Sequence, residues 1–125
     1  MSKKIMVIED DRDIRETIVY ALEDAKYEVI ASEDARILKH LDKHKPDLIL
    51  LDYWLSEWKS DANGEQLSKQ IKTNPATSHI PVILVSAVSN VKEVADAAMA
   101  DSYLHKPFDL KELFKMVEKF TGKDK

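Results

Sequence analysis

The chain contains no cysteine among its 125 residues, which excludes disulfides, thiolate metal sites and a cysteine nucleophile. It has only two glycines, Gly64 and Gly122, so neither a phosphate-cradling glycine loop nor a dinucleotide fingerprint can be built. Long hydrophobic runs are also lacking. The first apolar stretch, Ile5 to Ile8, is four residues long and leads straight into acids, too short for a signal-peptide core or a membrane span. An excess of basic charge is missing as well: the net charge is −4 and the lysines are scattered, which argues against binding to a phosphate backbone. A cytoplasmic protein without direct nucleic-acid contact or membrane insertion is expected. With 44% hydrophobic and 34% charged residues, the length suits one compact core.

What is present is a repeated strand-then-helix pattern. Ile5-Met6-Val7-Ile8, Leu48-Ile49-Leu50-Leu51 and Val82-Ile83-Leu84-Val85 do not alternate with polar residues, as expected of strands buried on both faces of a parallel sheet. Weaker strands are expected at Tyr27 to Ala31 and Ser102 to His105. Ile14, Ile18, Leu22 and Ala25 share one helical face, as do Leu110, Leu113, Phe114, Val117 and Phe120 near the end. Further helices are expected at about Ala35 to Lys43, Gly64 to Lys72 and Val91 to Ala98. Asp109 with Glu112 makes a capping box for the last helix, and Asn63 with Gln66 a weaker one. Five such units predict an α/β, flavodoxin-like doubly wound sheet of order 2-1-3-4-5 with five helices, and a ligand site at the carboxyl ends of strands 1 and 3.

The residues at those ends are Glu9, Asp10 and Asp11 after strand 1, Asp52 at strand 3, Ser86 at strand 4, and Lys106 before Pro107 at strand 5. Carboxylates gathered in a partly buried crevice repel one another unless a cation joins them. Oxygen ligands without histidine or cysteine point to Mg²⁺, with Mn²⁺ as the alternative, rather than zinc. A carboxylate nucleophile, a hard divalent ion, a lysine and a hydroxyl together describe phosphoryl transfer. Asp11 reads better as a helix-start acid than as a ligand. The four histidines, His40, His44, His79 and His105, fall on separate elements and are expected in solvent.

These motifs in this order resemble the response-regulator receiver family along the whole chain. Val7-Ile8-Glu9-Asp10-Asp11 resembles its acidic opening and Leu50-Leu51-Asp52 its phosphoacceptor strand. Val85-Ser86-Ala87 resembles its hydroxyl strand, and Tyr103-Leu104-His105-Lys106-Pro107-Phe108 its lysine-proline signature. The resemblance implies Mg²⁺-dependent transfer of a phosphoryl group to Asp52 from a sensor histidine kinase or histidine phosphotransfer protein, with Lys106 and Ser86 assisting. It implies a metal held by Glu9, Asp10, Asp52 and the backbone carbonyl of Trp54, a switch formed by Ser86 and Tyr103, and a cis bond between Lys106 and Pro107. Residues 1–121 are expected to form the receiver domain and 122–125 a short tail without an effector, so that output goes through contact with a protein target.

The chain departs from the family's pattern between Tyr53 and Asn63. This stretch is longer than the usual loop, has Ser56 where a proline is usual, and carries both tryptophans, Trp54 and Trp58. Packing against local apolar surface and contact with a partner are both open for them. The residues that in this family flank the path of hydrolytic water are Trp54 and Val88, both apolar, which suggests a slowly hydrolysed phosphoryl group. Two other functions fit parts of the pattern. A haloacid-dehalogenase-type phosphohydrolase also uses an aspartate after a strand, but it wants a second acid where Trp54 stands. A nucleotide or flavin binder would need the glycines that are missing.

Overall fold

The structure is a computed structural model that describes residues 3–53 and 64–122. Five parallel strands, β1 (Lys4–Ile8), β2 (Glu28–Ser32), β3 (Leu48–Asp52), β4 (Val82–Ser86) and β5 (Ser102–His105), form one sheet of order β2-β1-β3-β4-β5. The helices are α1 (Arg12–Asp24), α2 (Leu41–His44), α3 (Gly64–Thr73), α4 (Val91–Ala97) and α5 (Leu110–Thr121), with a 3₁₀ segment at Ala35–His40. The expected doubly wound architecture and strand order are those observed.

The unbroken apolar runs of the inner strands follow from their position. Successive side chains on a strand point to opposite faces, and both faces here are covered. Ile5, Val7, Leu48, Leu50, Ile83 and Val85 pack with Ile18 and Leu22 of α1 and with Leu113 and Val117 of α5. Their neighbours Met6, Ile8, Ile49, Leu51, Val82 and Leu84 pack on the other face with Leu67, Ile71, Leu41 and Ala95 of the remaining helices. β2 and β5 are the sheet edges and are only partly buried, which is why their sequence signal is weaker. β2 begins one residue later than expected, because Lys26 at φ 74° forms the turn after α1 and leaves Tyr27 buried ahead of the strand.

The helix expected over Ala35 to Lys43 is instead the 3₁₀ segment followed by a single α-helical turn. Its span is short, running from the Asp34 cap to Lys45, which adopts the left-handed conformation at φ 48° ahead of Pro46. None of residues 35–40 is fully buried, so little packing is available to favour a regular α-helix there. Aspartates cap the two longest helices: Asp11 Oδ1 accepts from the Ile14 amide at 3.1 Å, and Asp109 Oδ1 from the Glu112 amide at 2.8 Å. Asn63, half of the other expected capping box, lies outside the described residues. Among the described residues no helix is long and apolar enough to cross a membrane.

Candidate functional site

Sheet register brings the charged residues together. Ile8 pairs with Leu51 across β1 and β3, so Glu9, the next residue, stands level with Asp52. Asp52 pairs with Val85 and Val85 with Leu104, which puts Ser86 one step and Lys106 two steps further along the same rim. By strand alternation Glu9, Asp52 and Lys106 continue the rows that face α1 and α5, while Ser86 continues the opposite row. Three chemistries thus reach one rim from the ends of four different strands.

Glu9, Asp10 and Asp52 each offer a carboxylate oxygen, and these oxygens all lie within 4.8 Å of one another. Glu9 and Asp52 are almost fully buried, at 2% and 4% exposure, whereas Asp10 is half-buried. The two oxygens of Glu9 are divided between partners. Oε2 accepts from the Asp11 amide at 3.2 Å, and Oε1 is 2.8 Å from the Lys106 ammonium. Lys106 Nζ is also 3.5 Å from Asp52 Oδ2, so the ammonium sits between two buried carboxylates and closer to Glu9. Burial is the largest single influence on Lys106 and pushes its pKa down. The hydrogen bond and charge of Glu9 and the charge of Asp52 outweigh it, and the net shift is upward.

Three carboxylates gathered at one rim with a single lysine make an acidic cluster that suits a divalent cation. The spacing of the oxygens and the all-oxygen donor set fit magnesium, which takes a few protein carboxylates and completes its shell with water and phosphate. Trp54, whose carbonyl was expected as a further ligand, lies outside the described residues, as does the loop through Asn63.

The remaining expected residues are placed as follows. Ser86 is 2% exposed, and its Oγ accepts from the Val88 amide at 3.1 Å. Tyr103 is 37% exposed on the edge strand β5. The Lys106–Pro107 peptide bond is cis. Asp11 caps α1 and is exposed, in keeping with its reading as a helix-start acid. His40, His79 and His105 are exposed; His44 is half-buried, with its carbonyl accepting from Lys4 Nζ at 2.8 Å. A crevice of about 610 Å³ opens beside Lys106, lined chiefly by Ile14, Thr17 and Ile18 of α1 and by Pro107, Phe108 and Leu110.

The model of the response regulator receiver domain matches residues 5–118. The chain belongs to that family. Its relatives include the phosphate regulon transcriptional regulatory protein PhoB of Escherichia coli K12, 34% identical over 116 residues that make up 90% of this chain and 49% of that protein. The chain spans about half the length of the curated relatives it matches. Among solved structures, a putative response regulator from Chloroflexus aurantiacus J-10-fl superposes with a TM-score of 0.87 at 25% identity, over 98% of this chain and 100% of that one. The receiver domain of the sensor histidine kinase PA1611 from Pseudomonas aeruginosa PAO1, which carries a magnesium ion in its active-site cleft, shares the fold with a TM-score of 0.84 at 22% identity, over 98% of this chain and 99% of that one. This receiver domain is accordingly a homologue of the response regulators of two-component signal transduction, a family of phosphoacceptor switches.

One participant was not singled out from the sequence. Arg15, on α1, directs its guanidinium at the backbone of the acidic turn, with Nη1 donating to the Glu9 carbonyl at 2.9 Å. An arginine one turn beyond a helix cap is an ordinary surface residue in sequence. Only the return of the helix alongside the end of β1 gives it this role.

Proposed function

We propose that this receiver domain accepts a phosphoryl group on Asp52 from the phosphohistidine of a sensor histidine kinase or histidine phosphotransfer protein. The observation that carries the reading is the buried Asp52 carboxylate set among Glu9, Asp10 and Lys106 at the rim of β3. A carboxylate oxygen of Asp52 attacks phosphorus, the bond from phosphorus to the donor imidazole breaks, and an aspartyl phosphate and a free histidine result. Lys106 pairs with a phosphoryl oxygen and with Asp52, and the Ser86 hydroxyl donates to another oxygen. Glu9, Asp10, Asp52 and the Trp54 carbonyl would hold Mg²⁺, with Mn²⁺ as a substitute, and the ion supplies neutralisation of the phosphoryl charge. Ser86 and Tyr103 form the switch, the ring turning inward from its exposed position as the hydroxyl moves to the phosphoryl group.

The resulting state is read by a protein partner, and the acidic balance of the chain, −4, supports protein rather than nucleic acid as the direct contact of these residues. Cytoplasmic residence belongs to the same proposal. The domain acts as a switch that assists its own phosphorylation rather than as a turnover enzyme, since the phosphohydrolases that share an aspartate nucleophile need a second acid at the position of Trp54. Trp54 and Val88 slow hydrolysis because apolar neighbours give attacking water no hydrogen bond.

Acetyl phosphate with Mg²⁺ should add one phosphoryl mass to the intact protein and none to Asp52→Asn. An adduct on the variant would overturn the assignment. Trp54→Asn should shorten the lifetime of that adduct, and an unchanged decay would remove the hydrolysis reading alone.

A further inference from the structure

Arg15 touches neither the carboxylates nor the ammonium of the site, yet it binds the segment from which two of the carboxylates project. Its Nη1 donates to the Glu9 carbonyl at 2.9 Å and lies 3.5 Å from the Asp10 carbonyl. Its own amide donates to the Asp11 carbonyl at 2.9 Å, so the side chain rides on the first turn of α1. The turn is held at its other points by the Glu9 amide on Ser32 O at 3.0 Å and by the Asp11 amide on Glu9 Oε2 at 3.2 Å. Without the guanidinium, the Glu9 carbonyl loses this donor and the turn that leads into Asp10 loses its tie to the α1 side chain.

We propose that Arg15 is a positioning residue for the metal site: it pins the Glu9 and Asp10 carbonyls toward α1 so that the two carboxylates are presented together to the cation. This rests on the magnesium reading above. The sign of the effect separates positioning from simple charge. Arg15 is a cation near the site, so its charge alone weakens binding of a dication, and removing that charge should tighten it. Loss of an outer partner that orients a ligand does the reverse, typically by a factor of about 10 to 100 in metal affinity. Geometry therefore predicts weaker binding where electrostatics predicts stronger.

The test is calorimetric titration of the full chain with Mg²⁺ alone, comparing wild type, Arg15→Met, Arg15→Lys and Arg12→Met. Arg12 is an exposed residue of the same helix end whose Nε bonds Glu16 at 3.1 Å, so its variant removes the same charge without loosening the turn. Arg15→Met should weaken Mg²⁺ binding about tenfold. Arg15→Lys, which keeps one donor, should fall between it and wild type, and Arg12→Met should bind as well as wild type or slightly better. At saturating Mg²⁺ the phosphorylation rate of Arg15→Met should return to near the wild-type value, which a general loss of structure would not allow. Equal or tighter binding by Arg15→Met overturns the proposal. If Arg15→Met does not fold, Arg15→Lys decides: weaker binding than wild type supports positioning, and unchanged binding overturns it. Absence of Mg²⁺ binding by wild type overturns the metal reading and this proposal with it.

Discussion

Lys106 occupies the setting that most affects its own energetics, with a partly buried ammonium between Glu9 at 2.8 Å and Asp52 at 3.5 Å. In the metal-free protein its removal leaves two buried carboxylates facing each other. Breaking a fully buried pair costs several kcal/mol, and because Lys106 keeps 18% exposure a loss of about 1–2 kcal/mol is expected for Lys106→Met. The pH dependence has a definite sign. The folded-state pKa of Lys106 is raised, so its contribution is fully present below the unfolded lysine value of about 10.4 and is lost as pH rises through the higher folded value. Urea midpoints of wild type and Lys106→Met, measured with a chelator, should differ by a constant amount from about pH 7 to pH 10 and converge above that. A gap that stays unchanged at higher pH would mean that the ammonium charge is not its source. At this scale the sequence was informative about chemistry because site residues interrupt apolar runs: Asp52 ends a strand that is buried at every position, and no packing reason exists for an acid there. Arg15 was not legible for the opposite reason. Its partners are backbone carbonyls, and carbonyls leave no trace in side-chain identity.

At the scale of elements, Gly64 carries a constraint that pattern reading placed only as the start of α3. Its amide donates to the Tyr53 carbonyl at 3.1 Å, so the chain leaves the site at Tyr53 and is again in contact with it at Gly64. A Cβ at Gly64 would stand 2.5 Å from Tyr53 Cα and 2.9 Å from the Asp52 carbonyl oxygen. Backbone atoms cannot yield as a flexible side chain does. Two effects oppose each other in Gly64→Ala: helix propensity favours alanine by about 1 kcal/mol, and overpacking against the strand costs about 1–3 kcal/mol or more. The second should win, because the clash falls on the backbone of the two residues that close β3. A lower urea midpoint and slower adduct formation from acetyl phosphate are expected, since the clash falls on the Asp52 carbonyl and the residue after it. A variant as stable as wild type would show that the contact is easily relaxed. The elements themselves were legible in proportion to their burial. β1, β3 and β4 are buried almost throughout and stood out as apolar runs, whereas the 3₁₀ segment before α2 has no fully buried residue and its regular helical form was overestimated.

At the scale of the molecule, the two apolar clusters on either face of the sheet could behave as separate stabilising units or as one. They share no side chain, but every inner strand contributes alternate residues to both, so neither face can open without losing the same backbone ladder. Adjacent residues of β4 allow a direct comparison. Ile83 belongs to the face covered by α1 and α5, and Leu84 to the face covered by α3 and α4. Both are fully buried at 0% exposure, so truncation to alanine should cost each about 2–5 kcal/mol through lost transfer energy and the cavity left behind. If the sheet couples the faces, Ile83→Ala and Leu84→Ala will each shift the whole unfolding transition to lower urea with its slope unchanged. Far-UV circular dichroism reports all the helices, and fluorescence reports Trp54 and Trp58, the only tryptophans. The two signals should therefore coincide in both variants. Transitions that separate in Ile83→Ala alone would assign the face of α1 and α5 an independent stability. The acidic turn before α1 and the cis peptide before α5 would then be able to loosen while β3 and Asp52 stayed folded, and Mg²⁺ affinity in that variant would fall at urea concentrations below those of the main circular-dichroism transition.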